Sequence, residues 1–256
     1  METYHTIILV GGESTRFNDY NSISAKKPKS LGYIDKDTLI IHVLKNFIKY
    51  NIKKFVLPLG YYKEDYIKFF NKIKYVDKIR CNIALTEKDY INFCRKKQNE
   101  INIYLFYTGL KQNKAERIYK VIKKLSLNKF IVSYGDAVGN VNLRKVYKYH
   151  LESNCIATGV GMIMRSQYGH YSIKNKKVIE IVEKPLIKNM VNIGYFFFKK
   201  ESVNIFKKYR NLDLENGIIK KFINKNKMNV FQHKKFWKSV DTVKDLLELK
   251  NFLKKN

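Results

Sequence analysis

The feature that most constrains how this chain can fold is the alternation, over its first 150 residues, of short apolar runs with segments of helical periodicity. The apolar runs are rich in branched and aromatic side chains and cover residues 7–10, 55–59, 101–107 and 130–132. Between them, apolar side chains recur three and four residues apart, at 39–48, 66–70, 118–125 and 141–151. Strands that alternate with helices usually pair in parallel. The pattern therefore predicts an α/β fold, with a Rossmann-like, doubly wound and mostly parallel sheet.

The pattern changes after residue 150. Strand candidates follow one another without long helices between them, at 156–164, 171–173, 178–182 and 193–198. We expect them to be antiparallel additions that make the sheet mixed and form one wall of a pocket. Helical periodicity returns at 203–209, 218–222 and 242–253. Because no linker rich in Pro, Gly or Ser divides the chain, residues 1–256 are predicted to form one domain. The polar stretch 72–100 is the best candidate for an excursion from its core.

Length and composition limit the class of protein. The chain has 256 residues, of which 45% are hydrophobic, which is enough for one sizeable core. No apolar run approaches the roughly 20 residues needed to cross a bilayer, and the first residues lack the apolar segment of a secretory leader. The three cysteines, Cys81, Cys94 and Cys155, are odd in number and have no metal-binding spacing. We therefore expect a cytoplasmic protein that has no membrane partner.

The charge of the chain is strongly positive, with 51 Lys and Arg residues against 22 acidic residues and a formal net charge of +29. Such a balance favours contact with polyanions, and one reading is a basic α/β module that binds nucleic acid. However, the lysines are spread along the whole chain, and no helix-turn-helix, zinc-finger or RNA-recognition pattern is present. We therefore favour a solvated basic surface without a specific nucleic-acid partner.

A glycine-containing loop follows the first strand, with the sequence Gly11-Gly12-Glu13-Ser14-Thr15-Arg16. Glycines let main-chain N–H groups approach an anion closely, and an arginine can bind its oxygens with two N–H groups. A second basic group follows in the segment Lys27-Pro28-Lys29. The spacing fits neither the P-loop nor the dinucleotide fingerprint. The loop is therefore either a different triphosphate-binding loop or an ordinary turn.

Two carboxylates occupy comparable places later in the chain. Asp136 directly follows a buried strand, and Asp241 precedes the last helix. Single carboxylates near a triphosphate are what Mg²⁺ requires, although Asp241 could instead cap its helix. Two further segments admit a structural or a binding role. Glu183-Lys184-Pro185 is either a surface ion pair or part of a binding site, and Asn192-Ile193-Gly194 is either a bulge or a place of close ligand approach.

Taken in order over nearly the whole chain, these motifs resemble the sugar-phosphate nucleotidyltransferases, and in particular the glucose-1-phosphate cytidylyltransferases. The matching segments are residues 9–16, 27–30, 60–63, 108–109 with 117, 134–138, 183–185 and 236–242. Some positions depart from the family pattern. Ser14 replaces a loop glycine, residues 33–36 replace a Glu-Ile-Gly-Gly segment, Gln167 stands where an arginine is expected, and Ile193 replaces a glycine.

The resemblance implies an enzyme that transfers CMP from CTP to a sugar-type phosphate, with Mg²⁺ as cofactor. Residues 1–150 would bind the nucleotide and residues 151–256 the acceptor. By the same resemblance, Lys29, Arg16 and Asp136 are catalytic, and Asp136 and Asp241 hold the metal. The implied nucleotide-binding set is Leu9, Gly11, Gly12, Glu13, Ser14, Thr15, Arg16, Lys29, Gly60, Thr108, Gly109, Arg117, Gly135 and Asp136. The implied acceptor-binding set is Tyr168, Gly169, Glu183, Lys184, Asn192 and Gly194.

The acceptor is the least determined part of this prediction. Glucose 1-phosphate is the default of the family. Gln167 and Ile193, at positions expected to flank the sugar, instead favour a ketose or alditol phosphate such as fructose 6-phosphate, activated for a surface polysaccharide such as a capsule. A catalytically inactive homologue is a further alternative, weakened because Lys29, Asp136 and Asp241 are all present. The sequence admits a homo-oligomer without fixing its size.

Overall fold

The structure, a computed structural model, describes residues 4–18, 26–96 and 99–255, except for the side chains of Arg16 and Lys255. Within this part of the chain, nine strands form one sheet in the order β14-β10-β13-β8-β1-β4-β7-β6-β5. The strands are β1 His5–Leu9, β2 Tyr33–Ile34, β3 Asp37–Thr38, β4 Lys54–Leu59, β5 Tyr75–Val76, β6 Ile79–Ala84, β7 Ile101–Tyr107, β8 Phe130–Tyr134, β9 Ala137–Gly139, β10 Ala157–Met162, β11 His170–Lys174, β12 Lys177–Val182, β13 Val191–Phe198, β14 Met228–His233 and β15 Trp237–Ser239. The predicted α/β class is confirmed.

The centre of the sheet is parallel, as predicted. β1 pairs with β4 and β8, and β7 pairs with β4 and β6, all in parallel. Alternate side chains of these strands enter cores on opposite faces, so that Ile8 packs on one face and Ile7 on the other. Because the carboxyl ends of parallel strands meet at one edge, the loops that follow β1, β4, β7 and β8 lie together there.

Helices cover both faces. They are α1 Thr15–Asn18, α2 Leu39–Ile48, α3 Lys63–Phe70, α4 Glu87–Arg95, α5 Lys114–Lys124, α6 Leu143–Glu152, α7 Ser202–Tyr209, α8 Lys220–Asn224 and α9 Val243–Lys255. A 3₁₀ turn spans Lys29–Leu31, and a π-helical turn spans Leu214–Ile219. α2 shows why the periodicity was informative, since its apolar side chains at Leu39, Ile40, Val43, Leu44 and Phe47 are all buried. None of the described helices is long and apolar enough to span a bilayer.

The antiparallel additions after residue 150 are confirmed. β13 lies antiparallel between β8 and β10, so segments from both halves of the chain share one sheet. β11 and β12 form a separate two-stranded ribbon, called the β11–β12 ribbon below. β14 was not expected from the sequence. It pairs in parallel with β10 at the edge of the sheet, and its side chains are mostly half-buried, so the strand lacks a continuous apolar run.

The expectation that residues 72–100 leave the core is wrong for the described part of that stretch. β6 is a strand of the main sheet, and Tyr90 of α4 is fully buried against it. The misleading signal has a physical cause. β6 lies near the edge of the sheet, where side chains remain half-exposed, and the strand therefore carries Arg80 and Asn82 between its apolar residues. Residues 97 and 98 lie outside the described part.

Candidate active site

A cleft of about 920 Å³ opens at the edge of the sheet where the parallel strands end. Its walls come from the loop after β1, the loop after β7, the segment after β8 and the start of β13. This edge is the usual ligand position in doubly wound sheets. Of the residues predicted for the site, those that line the cleft are Leu9, Gly11, Gly12, Glu13, Ser14, Thr15, Lys29, Arg117, Gly135, Asp136, Asn192 and Asp241.

The two loop glycines have different surroundings. A Cβ placed on Gly12 would meet nothing within 4 Å, so the main chain is open to the cleft at that point. A Cβ on Gly11 would lie 2.7 Å from the guanidinium of Arg117. Gly12 therefore leaves room for a ligand, whereas Gly11 is required by packing against the protein itself.

Ser14 connects the glycine loop to Lys29. Its backbone has a φ of +54°, a left-handed conformation that favours glycine, which explains why a glycine would suit this position. Its Oγ accepts a hydrogen bond from the backbone N–H of Lys29, at 3.2 Å. The serine thus fixes the start of the 3₁₀ turn against the loop. Arg16 lies on α1, and its side chain is outside the described part of the structure.

Lys29 lies between the two carboxylates that were predicted to bind metal. Its Nζ is 2.6 Å from Oδ2 of Asp136 and 3.0 Å from Oδ1 of Asp241. Burial alone would lower the pKa of Lys29, but the two carboxylates outweigh this effect and raise its pKa above the ordinary value. The ammonium group is therefore held in its charged form, and both carboxylates point at one position.

Asp136 and Asp241 are far apart in the sequence, and a small two-stranded sheet brings them together. β15 pairs antiparallel with β9, with Ser239 opposite Ala137. The N–H of Val240 then donates to the carbonyl oxygen of Asp136, at 2.8 Å. The alternative that Asp241 merely caps α9 does not hold, because Thr242 and Asp245 form the reciprocal cap of this helix. The side chain of Asp241 is thereby left to face the cleft.

The donor set around Lys29 fits a divalent cation of the Mg²⁺ type. The two carboxylates already converge on one positive charge, the ammonium of Lys29, at the position that a bound cation would occupy. Among the described residues, no group of three or more His, Cys, Asp or Glu side chains forms a metal cage. Mg²⁺ characteristically takes one or two protein carboxylates and completes its shell with water and substrate phosphate oxygens. Asp136 and Asp241 would hold such an ion.

Three other predicted nucleotide-binding residues do not line the cleft. Gly60, Thr108 and Gly109 instead surround the guanidinium of Arg117. Thr108 and Gly109 hydrogen-bond to the guanidinium, and a Cβ on Gly60 would lie 2.3 Å from its Nη2. These three residues therefore contact Arg117 and not the cleft. Arg117, which does line the cleft, connects them with it.

The predicted acceptor-binding residues divide into two groups. Tyr168, Gly169, Glu183 and Lys184 directly flank the β11–β12 ribbon, outside the lining of the cleft. Asn192 lines the cleft, and its Oδ1 accepts a hydrogen bond from the N–H of Gly194, at 2.9 Å. Gly194 has a φ of +80° and packs so closely on Tyr134 that a Cβ would lie 2.5 Å from the ring. Of Asn192 and Gly194, which form the second group, only Asn192 lines the cleft.

Several cleft residues were missed by the sequence analysis. Lys111 to Lys114 follow β7 and begin α5, while Asp213 arrives from almost 100 residues later. Glu215 does not line the cleft itself, but it accepts hydrogen bonds from two residues that do, from Lys114 and from the hydroxyl of Tyr134. Burial, followed by the contact with Glu215, raises the pKa of Tyr134 well above its ordinary value. The position of Lys111 to Lys114 just after a parallel strand could have indicated them, whereas no local pattern indicates Asp213 or Glu215.

The fold and this site together define a class of protein. A mostly parallel sheet carries, at the carboxyl ends of its strands, a glycine loop, a lysine and two converging carboxylates, an arrangement suited to binding a nucleotide triphosphate. The model of the family described as "Nucleotidyl transferase" matches residues 5–256. The chain belongs to this family.

Individual relatives are distant but match over nearly the full length. A Bacillus subtilis (strain 168) protein named "Probable glucose-1-phosphate cytidylyltransferase" is 25% identical over 95% of this chain and 93% of its own length. The glucose-1-phosphate cytidylyltransferase of Salmonella typhimurium is 23% identical over 97% of this chain and 95% of its own. Among solved structures, HddC from Yersinia pseudotuberculosis complexed with GMP-PN superimposes with a TM-score of 0.66 at 19% identity, covering 98% of this chain and 100% of that one.

Proposed function

We propose that this chain transfers CMP from CTP to the phosphate group of a sugar phosphate and releases pyrophosphate. The observation that carries the proposal is the position of Lys29, whose Nζ lies 2.6 Å from Asp136 and 3.0 Å from Asp241 beside the glycine loop. A cation and two carboxylates in one cleft suit a reaction in which charge on phosphate oxygens must be neutralised.

The reaction needs little covalent help from the protein. An oxygen of the acceptor phosphate attacks the α-phosphorus of CTP. The bond from that phosphorus to the bridging oxygen of the β-phosphate breaks, and pyrophosphate leaves with the electron pair. Positioning of the two phosphates and neutralisation of their charge lower the barrier.

Each cleft residue has a role in this proposal. The open main chain at Gly12, together with Arg16, binds the β- and γ-phosphates of CTP. Lys29 binds the α-phosphate, where negative charge grows during attack. Asp136 and Asp241 hold Mg²⁺, which when bound polarises and neutralises the phosphate oxygens. Asn192 hydrogen-bonds the acceptor, and we retain Lys184 and Glu183, which directly follow the ribbon, as candidates for its phosphate and hydroxyl groups.

The choice of cytosine rests on the relatives, not on a contact in the cleft. The relatives from Bacillus subtilis and Salmonella typhimurium carry cytidylyltransferase names, whereas the HddC structure is a complex with GMP-PN. The first experiment therefore measures pyrophosphate release with CTP, UTP, GTP, ATP and dTTP in turn, with Mg²⁺ and glucose 1-phosphate. We expect release with CTP at a clearly higher rate than with any other nucleotide.

Other results of this experiment separate the alternatives. Release with a different nucleotide would retain the family activity and overturn the assignment of CTP. No release with any nucleotide, over a panel of sugar phosphates, would favour the inactive homologue. Tight binding to one nucleic-acid sequence at physiological salt would instead favour the nucleic-acid module, because nonspecific binding to a basic surface weakens steeply with salt.

The structure weakens the argument for an unusual acceptor. Ile193 is 1% exposed and packs in the core, because successive residues of β13 face opposite sides and it is Asn192 that lines the cleft. Gln167 is exposed, just before the β11–β12 ribbon. Ile193 therefore does not form the cleft wall, and Gln167 does not line the cleft, so we propose glucose 1-phosphate, the substrate in the names of the relatives, rather than fructose 6-phosphate as the acceptor.

The acceptor is tested by comparing kcat/KM for glucose 1-phosphate and fructose 6-phosphate. We expect a preference of about 10²-fold or more for glucose 1-phosphate, because a site that hydrogen-bonds particular hydroxyls discriminates strongly. Ile193→Val should lower the free energy of unfolding by about 1 kcal/mol and leave the ratio unchanged. Asn192→Ala should raise the KM for the acceptor. A preference for fructose 6-phosphate would restore the interpretation drawn from the sequence.

Three predictions lie beyond these assays. A cytoplasmic location, a role in building a surface polysaccharide and association into a homo-oligomer all remain predictions. The last is measurable by sedimentation equilibrium of the purified chain. The β11–β12 ribbon is the first region to examine, since it exposes Tyr171, Ile173, Val178, Ile179 and Ile181.

A further inference from the structure

A buried arginine lies where the loops of the cleft meet. Arg117, in the first turn of α5, is only 4% exposed, and its guanidinium makes six hydrogen bonds to the protein. The acceptors are the carbonyl oxygens of Gln112 (3.1 Å), Leu59 (3.0 Å), Gly109 (2.9 Å), Gly11 (3.0 Å) and Leu110 (2.8 Å) and the hydroxyl of Thr108 (2.7 Å). An arginine has five N–H groups, so every donor is used within the protein.

These acceptors connect three separate segments. Gly11 belongs to the glycine loop after β1, Leu59 ends β4, and Thr108 to Gln112 follow β7. One side chain on α5 therefore ties the carboxyl ends of three neighbouring parallel strands to each other. The backbone of the glycine loop is fixed through the carbonyl of Gly11, and the adjacent residue Gly12 is the one that faces the cleft.

Two glycines of the sequence motifs are explained by this contact. A Cβ on Gly11 would lie 2.7 Å from Arg117, and a Cβ on Gly60 would lie 2.3 Å from its Nη2 and 2.5 Å from the carbonyl oxygen of Gly11. All three distances are too short for a side chain at either position. Neither Gly11 nor Gly60 therefore has room for a side chain, because the guanidinium occupies the space beside them.

We propose that Arg117 is a positioning residue that sets the shape of the triphosphate-binding loop. This inference rests on the proposed function above. All five N–H groups are occupied by the protein. In the part of the chain that the structure describes, no carboxylate forms an ion pair with the guanidinium. Its charge is stabilised by carbonyl dipoles, and an anion bound at the loop would add to that stabilisation.

The test measures equilibrium binding by calorimetry at fixed Mg²⁺, with CTP and with inorganic tripolyphosphate. If Arg117 shapes the phosphate loop, R117M weakens both ligands in parallel, by about 10- to 100-fold. R117K keeps the positive charge but cannot reach six acceptors, and its affinity for both ligands should fall nearly as much as that of R117M. If Arg117 contacts the base or ribose instead, CTP binding falls while tripolyphosphate binding does not, and that result overturns the inference.

Two further variants separate positioning from general stability. K120M removes a cation one turn later on α5, where Lys120 Nζ donates to the carbonyl of Thr108 at 2.8 Å, and it should change either affinity less than twofold. G60A leaves Arg117 in the sequence but fills its space, and should reproduce the loss seen with R117M. In the G60A/R117M double variant the clash with the guanidinium is absent and only the close contact with the carbonyl oxygen of Gly11 remains, so the combined loss should be smaller than the sum of the two single losses.

The outcomes are distinguishable from failure of the proposed function. Wild-type protein that binds neither ligand overturns both the proposed function and this inference. Wild-type protein that binds both, with R117M and G60A binding equally well, overturns the inference alone. A purely structural role would lower the melting temperature of R117M while leaving affinities measured well below that temperature unchanged, and this also contradicts the proposal. Should R117M not fold, G60A and R117K carry the same comparison.

Discussion

Asp136→Asn and Asp241→Asn are each expected to lower turnover by about three orders of magnitude while leaving the fold intact. The two carboxylates converge on one position in the cleft, and each would supply one of the few protein ligands of a divalent cation. Loss of one such ligand removes several kcal/mol of transition-state stabilisation, and each 1.36 kcal/mol corresponds to a tenfold change in rate. The rate is measured as pyrophosphate release under saturating CTP and glucose 1-phosphate.

The chain offers a matched control for these variants. Asp77 also pairs with a lysine, at 2.9 Å from Lys45 Nζ, but does not line the cleft. Asp77→Asn should therefore leave turnover unchanged within about twofold, since exposed ion pairs contribute little. Circular dichroism checks that all three variants fold. Full activity of Asp136→Asn, or of the wild-type protein in EDTA, would contradict the assignment of these carboxylates to a metal.

The core strands could be predicted from the sequence because parallel strands at the centre of a sheet are buried on both faces. Residues 101–107, for example, are apolar or aromatic except for Asn102, and the pattern predicts the bounds of this strand correctly. Strands at or next to the edges of the sheet do not follow this rule. β14 forms one edge, and β6 lies next to the two-residue edge strand β5, so their side chains stay half-exposed and polar residues interrupt the apolar pattern.

Part of the cleft could be predicted for the same reason. Gly12 and Asp136 follow buried parallel strands directly, so their place at one edge follows from the topology. The contacts between distant segments could not be predicted. Local spacing does not indicate that β15 brings Asp241 beside Asp136, nor that the guanidinium of Arg117 is directed at carbonyl groups. Ile193 illustrates the opposite error. Its position in the motif predicted that it would form part of the pocket wall, but successive side chains of β13 face opposite sides of the sheet, and that of Ile193 is buried.

Lys29 contacts Asp136 and Asp241 in this structure, whereas its proposed partner during the reaction is the α-phosphate of CTP. Its Nζ lies between Asp136 and Asp241, where it holds together two carboxylates that would otherwise repel. If these carboxylates hold a divalent ion, the ammonium has to leave the position between them. The α-phosphate of a bound nucleotide is the anion that it can then contact. Lys29 would thus exchange two carboxylates for the phosphate at which negative charge develops.

Lys29→Ala is accordingly expected to lower kcat by about 10²- to 10³-fold, the usual loss when one preorganised charge is removed from a transition state. The KM for CTP should change much less, and Mn²⁺ binding without nucleotide, followed by electron paramagnetic resonance, should become tighter because the competing ammonium is gone. Lys45→Ala is the control, since Lys45 also lies between two carboxylates, Asp37 and Asp77, yet does not line the cleft. A raised KM with an unchanged kcat would mean that Lys29 only binds the nucleotide.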